Sequence, residues 1–324
     1  MHRPNRNCLA VALVALGLIS LAAETGTAQI TRTIKLILPF PPGGPADAMA
    51  RIVAEQIGTS GGPSFVVESH PGAGTEIGTE LVARAAPDGN TLAIISNSFV
   101  VLPHLRKLNY DPLADFAPIC ELASFPPLIV VNSDSPYHTL ADLVDAVHAH
   151  PGTLTLGTLG PATASQMAFE MLKQVAKLDM TFIPFPGYTP AIQALLGNQI
   201  SSALADLSSL QGQLQTGKVR ALATTVTKRI AALPDVPTVA ESGYKDFAAQ
   251  FFGAVVAPAQ TPKTTIDQLI AWFTPAIEAE KVTAKFKALG FYPATACGAD
   301  FAAILRKEYD GYGQIVREAK IRSQ

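Results

Sequence analysis

Ile34-Lys35-Leu36-Ile37-Leu38 runs into Pro39-Phe40-Pro41-Pro42-Gly43-Gly44-Pro45-Ala46-Asp47, and the helical spacing of Met49, Ile52, Val53 and Ile57 follows. Phe65-Val66-Val67-Glu68 then runs into Pro71-Gly72-Ala73-Gly74, ahead of Ile77, Leu81 and Val82. Each stretch is an apolar strand, a glycine-rich turn and a helix, the unit from which parallel sheets covered by helices are built. Glycine lets backbone approach a ligand closely, and Asp47 can cap the helix it opens. A helix start offers about four unpaired N–H donors and roughly half a positive charge. Neither turn contains lysine or arginine, so the pair reads as a cradle that holds a small anion on backbone amides. One such turn is an ordinary strand-to-helix connection; two in succession make a pattern.

The alternation continues outward. Thr91–Ile95 is a third strand, ending in Ser96-Asn97-Ser98, and after a looser, proline-dotted region Leu128–Val131 is another. Thr139, with Asp142 three positions on, opens a helix that Pro151-Gly152 closes. Leu154-Thr155-Leu156 enters Gly157–Ser165 and then a helix carrying Met167, Met171, Leu172 and Val175, a third cradle of the same design. Met180–Pro184 leads to Phe185-Pro186-Gly187-Tyr188-Thr189-Pro190, with Thr189 as the expected cap, and Ile200–Ala205 leads to Asp206. Five strand ends thus precede helices, and ligands of open α/β sheets collect at such ends. Val219–Thr224 and Phe252–Ala257 are further strands, and Thr261-Pro262 reads as a cap-then-proline helix start. Pro275 is expected to kink the helix that follows.

Composition sets the class. A 324-residue chain with 48% hydrophobic and 15% charged residues and a formal charge of -2 is long enough for two domains, and it carries no basic block for nucleic acid. Arg3 and Arg6 precede the apolar stretch Cys8–Ala23, and Gly26-Thr27-Ala28 supplies small residues, so residues 1–28 read as a secretory signal peptide. From 24 basic and 26 acidic residues the leader takes Arg3, Arg6 and Glu24, which leaves 22 and 25 and a charge of -3. Outside the cytosol, Cys120 and Cys297 leave two readings open, a bridge or two free thiols.

Three motifs tempt and fail. Gly72-Ala73-Gly74-Thr75-Glu76-Ile77-Gly78 imitates a dinucleotide fingerprint, but it follows the second strand, and the next strand ends in Ser96-Asn97-Ser98 with no acid for a ribose. Gly58-Thr59-Ser60-Gly61-Gly62 has the spacing of a nucleophile elbow, yet a helix precedes it and a strand follows, the reverse of what an elbow needs. His148 and His150 stand at a helix end with no third ligand at metal spacing. No paired carboxylates for acid–base work emerge, so the sequence offers places to hold something and no group to react with it.

Taken together, Ile37–Gly44 with Asp47, Pro71–Gly74, Ala83-Arg84-Ala85-Ala86-Pro87-Asp88-Gly89, Leu233–Glu241, and Ala257-Pro258 with Thr261-Pro262 resemble the Bug family, the periplasmic solute-binding proteins of tripartite tricarboxylate transporters. The resemblance runs from about Ile34 to the C-terminus. It implies a two-lobed periplasmic-binding-protein fold of type II-like α/β architecture, each lobe a mainly parallel sheet flanked by helices, with two crossover hinge strands near Leu128–Val131 and Phe252–Val256. The expected division is a signal peptide at 1–28, one lobe from 29–127 and 252–324, and a second from 128–251. No cofactor, metal or catalytic residue is expected.

The resemblance also implies a periplasmic protein that passes a small organic acid to separate membrane components of the transporter. Expected ligand contacts are Phe40, Gly43, Gly44 and Asp47 in the first turn, Gly72, Ala73 and Gly74 in the second, and Ser96 and Asn97 after the third strand. From the other lobe come Thr158, Thr163, Ala164, Ser165, Phe185, Gly187, Tyr188 and Asp206. The chain departs from the family pattern where Phe185 and Pro186 replace tyrosine and lysine, where Pro161, Ala162 and Gln166 replace Asn, Gly and His, where Ala205 takes the place of a frequent Asp, with Asp206 one position later, and where Ser69-His70 replaces Asn-Arg. These changes favour a mono- or dicarboxylate with an apolar or aromatic body over a tricarboxylate. A ligand sensor for a receptor kinase and a NAD-dependent dehydrogenase are the alternatives.

Overall fold

In the computed structural model, which describes residues 33–160, 163–245, 247–318 and 321, β1 (Thr33–Leu38) pairs in parallel with β2 (Ser64–Ser69) on one side and β3 (Thr91–Ile95) on the other. The expected leader, and Pro161 and Ala162, lie outside the described residues. α1 (Pro45–Thr59) and α2 (Glu76–Ala83) follow β1 and β2, and the short α3 (Ser98–Val101) follows β3. From Leu36 to Leu38 β1 is apolar on both sides because both sides are covered there, whereas Thr33 and Lys35 near its start are exposed. Leu36 and Leu38 pack with Met49, Val53 and Ile57 of α1, while Ile37 packs with Val82 of α2 and Phe99 of α3.

β4 (Phe116–Phe125) then leaves the first sheet and β5 (Pro127–Asn132) enters a second, with only Pro126 between them. After α4 (Leu140–Ala149), whose start is the expected capping box of Thr139 and Asp142, come β6 (Thr155–Leu159), α5 (Ala164–Ala176), β7 (Thr181–Phe185) and α6 (Tyr188–Leu196). β8 (Ser202–Asp206), α7 (Leu207–Gln215) and β9 (Val219–Thr224) complete this half. The chain returns through β10 (Phe251–Pro258), α8 (Lys263–Glu278), α9 (Glu280–Ala288), β11 (Tyr292–Pro293) and the long α10 (Gly298–Glu318). Strand order is β11-β4-β10-β3-β1-β2 in one sheet and β7-β6-β8-β5-β9 in the other.

Each sheet is therefore mixed. Three strands in each, β3-β1-β2 and β7-β6-β8, are parallel, and the strands that carry the chain between sheets join them antiparallel. The reason is geometric. β5 enters the second sheet beside the carboxyl end of β8, with Pro127 opposite Asp206, so it must run against the parallel set; β10 enters the first sheet beside the carboxyl end of β3 and does the same.

Local details differ from the sequence reading. Gly44 is the N-cap of α1 and Asp47 sits inside the helix, where its carboxylate reaches back to accept the Gly43 N–H at 3.0 Å and receives the Arg51 Nε–H at 2.8 Å. α6 is capped by Gly187 and already includes Thr189, and α8 begins after Pro262 with no cap from Thr261. β4 lies in the region read as loose, because Pro118, Glu121 and two slips of register against β10 break the alternation that betrays a strand. Pro275 lies within α8, which continues to Glu278.

Cys120 on β4 is disulfide-bonded to Cys297, just ahead of α10, which decides between the two readings. The bridge closes a loop spanning 177 positions and ties the first sheet to the C-terminal helix. Constraining so long a loop in the unfolded chain is worth about 2–5 kcal/mol. Urea unfolding of reduced protein, or of Cys120→Ala/Cys297→Ala, should show a loss of that order; unchanged midpoints would mean the bridge contributes no net stability.

α10 packs on β4, and there Glu121 and Glu308 are partly buried carboxylates that repel each other. Burial, then Glu308, pushes Glu121 up to about 6 from its ordinary 4.5, and burial raises Glu308 as well. Raised acids favour the fold while protonated, so their contribution is full below about 4.5 and is lost as pH rises through about 6. Glu121→Gln should raise the melting temperature at pH 7.5 and leave it nearly unchanged at pH 4.5; equal effects at both values would refute the repulsion.

Candidate ligand-binding site

The carboxyl ends of β3, β1 and β2 lie side by side, and they carry Ser96-Asn97, Phe40–Gly44 and Gly72–Thr75 respectively. The first and second turns are bound together: Ser69 Oγ donates to the Phe40 carbonyl at 2.7 Å, and the His70 N–H donates to the Leu38 carbonyl at 2.8 Å. Gly78 completes the contact. A Cβ there would lie 2.8 Å from both the His70 oxygen and Pro39 Cβ, so only glycine lets α2 sit against the first turn.

The second turn is backbone under strain. Gly72, Ala73, Gly74 and Thr75 all have positive φ, at 139°, 47°, 63° and 93°, and for alanine and a β-branched threonine this is costly. Such outliers cluster where a structure holds an unusual shape for use. Arg106, from the segment after the 3₁₀ turn Leu102–His104, holds it: its guanidinium donates to the Ala73 carbonyl and pairs with Glu76 at 2.8 Å. The sequence reading missed Arg106, because 33 positions separate it from Ala73 and only the tertiary fold brings them together.

In the second sheet the carboxyl ends of β7, β6 and β8 carry Phe185–Gly187, Leu159 with Gly160 and Thr163, and Asp206. Several of the expected contacts are spent on scaffolding here. Thr158, fully buried, donates to the Leu204 carbonyl at 2.7 Å and stitches β6 to β8. Thr163 caps α5 through the Gln166 N–H at 3.3 Å and donates to the Gly160 carbonyl at 2.9 Å. Ser165 and Tyr188 share a buried hydrogen bond of 3.0 Å. Asp206 caps α7, accepting the Ser209 N–H at 3.1 Å, the Ser209 hydroxyl at 2.9 Å and the Ser208 hydroxyl. Burial raises the pKa of Asp206 against these bonds, and burial followed by the Asp206 charge raises that of Tyr188.

Phe40, Gly43, Gly44, Gly72, Ala73, Gly74, Ser96, Thr163, Phe185 and Gly187 keep accessible surface, whereas Asp47, Asn97, Thr158, Ala164, Ser165, Tyr188 and Asp206 are buried. The helix starts divide the same way. α5 and α7 are capped by their own side chains, but α1 at Gly44 and α6 at Gly187 have no side-chain cap, so N–H groups of their first turns are available to a ligand, whereas α2 continues the 3₁₀ turn Ala73–Thr75 and its first N–H, on Glu76, is spent on the Ala73 carbonyl.

The two sets of strand ends face each other, because both connections between the sheets leave from them. β4 and β5 join at Phe125-Pro126-Pro127, and Thr225 after β9 leads to Phe251. Thr225 binds the two connections together: its N–H donates to the Pro127 carbonyl at 3.1 Å and its hydroxyl to the Ala249 carbonyl at 2.7 Å. A two-sheet arrangement of this construction has known counterparts. Residues 49–321 match the family model described as "Tripartite tricarboxylate transporter family receptor". The chain belongs to that receptor family.

Solved structures agree across nearly the whole receptor. The periplasmic binding protein BugD is 32% identical, with a TM-score of 0.85 over 90% of this chain and 99% of that one. Rpa4515 of R. palustris, described with adipate, is 26% identical with a TM-score of 0.86 over 91% and 99%. MatC of Rhodopseudomonas palustris, described with bound malate, is 28% identical with a TM-score of 0.80 over 89% and 99%. The fold of these receptors is two-lobed, as the sequence resemblance implied.

Asp47 tests how the first turn of this receptor is held. Asp47→Ala frees the Gly43 N–H and should cost about 1 kcal/mol, with faster amide exchange at Gly43. Unchanged melting and exchange would show that the carboxylate does not fix the turn.

Proposed function

We propose that this protein captures a small organic carboxylate in the cleft between its sheets and passes it to the membrane components of a tripartite tricarboxylate transporter, with no chemistry on the ligand. The observation that carries the proposal is the pair of uncapped helix starts, α1 on one sheet and α6 on the other, at strand ends that the crossovers turn toward each other. An acid gripped from both sides by amide dipoles needs no cation, and Arg106 is already committed to Ala73 and Glu76. Membership of a receptor family and the adipate and malate described with two relatives support the same ligand class.

The working division is one lobe from 29–127 and 252–324 and another from 128–251, with hinge closure about Pro126 and Ala249-Gln250 as the response to ligand. The periplasm is the matching location, and a chain whose family and fold are those of solute-binding proteins is read as a non-enzyme. Phe40 and Phe185, partly exposed beside the free amides, favour an acid with an apolar body. Titration calorimetry with adipate, malate, benzoate and citrate should give a clear binder among the first three and weaker or no heat with citrate. A blank across all four would count decisively against carboxylate capture, and quenching of nicotinamide fluorescence would redirect the reading to an enzyme.

A further inference from the structure

Asn97 stands at the carboxyl end of β3, where a ligand contact was expected, yet it is fully buried. Its amide is spent on the second crossover. The Phe252 N–H donates to Asn97 Oδ1 at 3.1 Å, and Asn97 Nδ2 donates to the Gln250 carbonyl at 3.3 Å and to the Tyr312 hydroxyl at 3.0 Å. The residues so held are where the chain passes from one sheet to the other, and the group that holds Asn97 comes from the C-terminal helix.

The sequence invests in that contact. Tyr312 lies between Gly311 and Gly313, and glycine inside a helix costs about 1 kcal/mol relative to alanine. At Gly313 the reason is visible: a Cβ would lie 2.7 Å from His104 Cε1, so glycine lets α10 settle onto the 3₁₀ turn that follows α3. That close approach seats Tyr312 among Phe301, Leu305 and Val316, with its hydroxyl on Asn97.

We infer that Tyr312 is a positioning residue for ligand capture: it touches no ligand, and through Asn97 it fixes the crossover about which the two lobes move. Loss of the hydroxyl leaves a buried Asn97 N–H without its acceptor and lets Gln250–Phe252 move against β3. The inference rests on the proposed capture function only for the meaning of the motion, so its test uses ligand-free protein. A blank acid screen would leave the test intact.

Tyr312→Phe removes one oxygen from an otherwise unchanged ring. Exchange of the Phe252 amide should quicken about five- to tenfold, the scale of one hydrogen bond, while the Val255 amide in the same strand changes less than about twofold. In the same variant, the distance distribution between spin labels at Thr59→Cys and Gln215→Cys, one on each lobe, should broaden. Unchanged exchange at Phe252 would overturn the proposal. Equal acceleration at Phe252 and Val255 would also overturn it, since that is general loosening. Faster exchange at Phe252 with an unchanged label distribution would reduce Tyr312 to a local anchor with no part in lobe motion.

Discussion

Everything about the cleft depends on where the chain crosses between its sheets. A polypeptide that leaves one sheet at the carboxyl ends of its parallel strands must enter the next at the edge facing it, and that requirement alone aligns the two sets of strand ends. Pro127 is the pivot of the arrangement. Its carbonyl accepts from the Thr225 N–H and from the Thr224 hydroxyl at 3.2 Å, so the outgoing and returning connections are fastened to one point. Antiparallel β5 and β10, set directly against the parallel trios β7-β6-β8 and β3-β1-β2, are the direct record of this constraint.

The same constraint explains how a protein with few cations at its cleft can hold an anion. Helices that follow parallel strands all begin at the strand ends, so each sheet brings several positive dipole ends to one edge. Whether a given start is free then depends on one residue. Thr163 and Asp206 close their helices, whereas Gly44 and Gly187 leave theirs open. Asp47 shows the balance: an acid in the first turn of α1 would compete with a bound anion, but Arg51 neutralises it and its oxygen is turned back onto Gly43. The charge is retained as a brace for the loop.

Much of this was legible in the residues. β1, β3 and β9 are largely apolar runs, broken by Lys35 in β1 and Arg220 in β9, and the glycine turns after β1 and β2 announce themselves. β4 was not legible, since Pro118 and Glu121 sit in a strand whose identity comes from pairing with β10 on one side and β11 on the other. The helix starts near Thr189 and Thr261 differ from the expected cap-then-proline pattern because a proline after threonine does not fix its own position: Pro190 is the third residue of α6, while Pro262 is itself the N-cap of α8. Asn97, Thr158 and Asp206 stand at strand ends, where residue type put them, and their buried side chains are hydrogen-bonded to the scaffold, a use that residue type does not reveal because a polar side chain at a strand end serves equally as a ligand contact or as a strut.

That separation bears on how selectivity is built. If most polar side chains nearest the cleft are consumed in holding β6, β8, α5 and α7 in place, what remains to meet a ligand is backbone amide, aromatic surface and the accessible Ser96 hydroxyl. Amides at helix starts recognise a carboxylate by charge and are indifferent to the rest of the molecule. Discrimination among acids then falls to shape and apolar fit, where one methylene is worth about 1–3 kcal/mol. The strained turn at Ala73–Thr75 belongs to this logic: its backbone is held in one conformation by Arg106, so the amides it offers are ordered before any ligand arrives, and less of the binding energy is lost to ordering them.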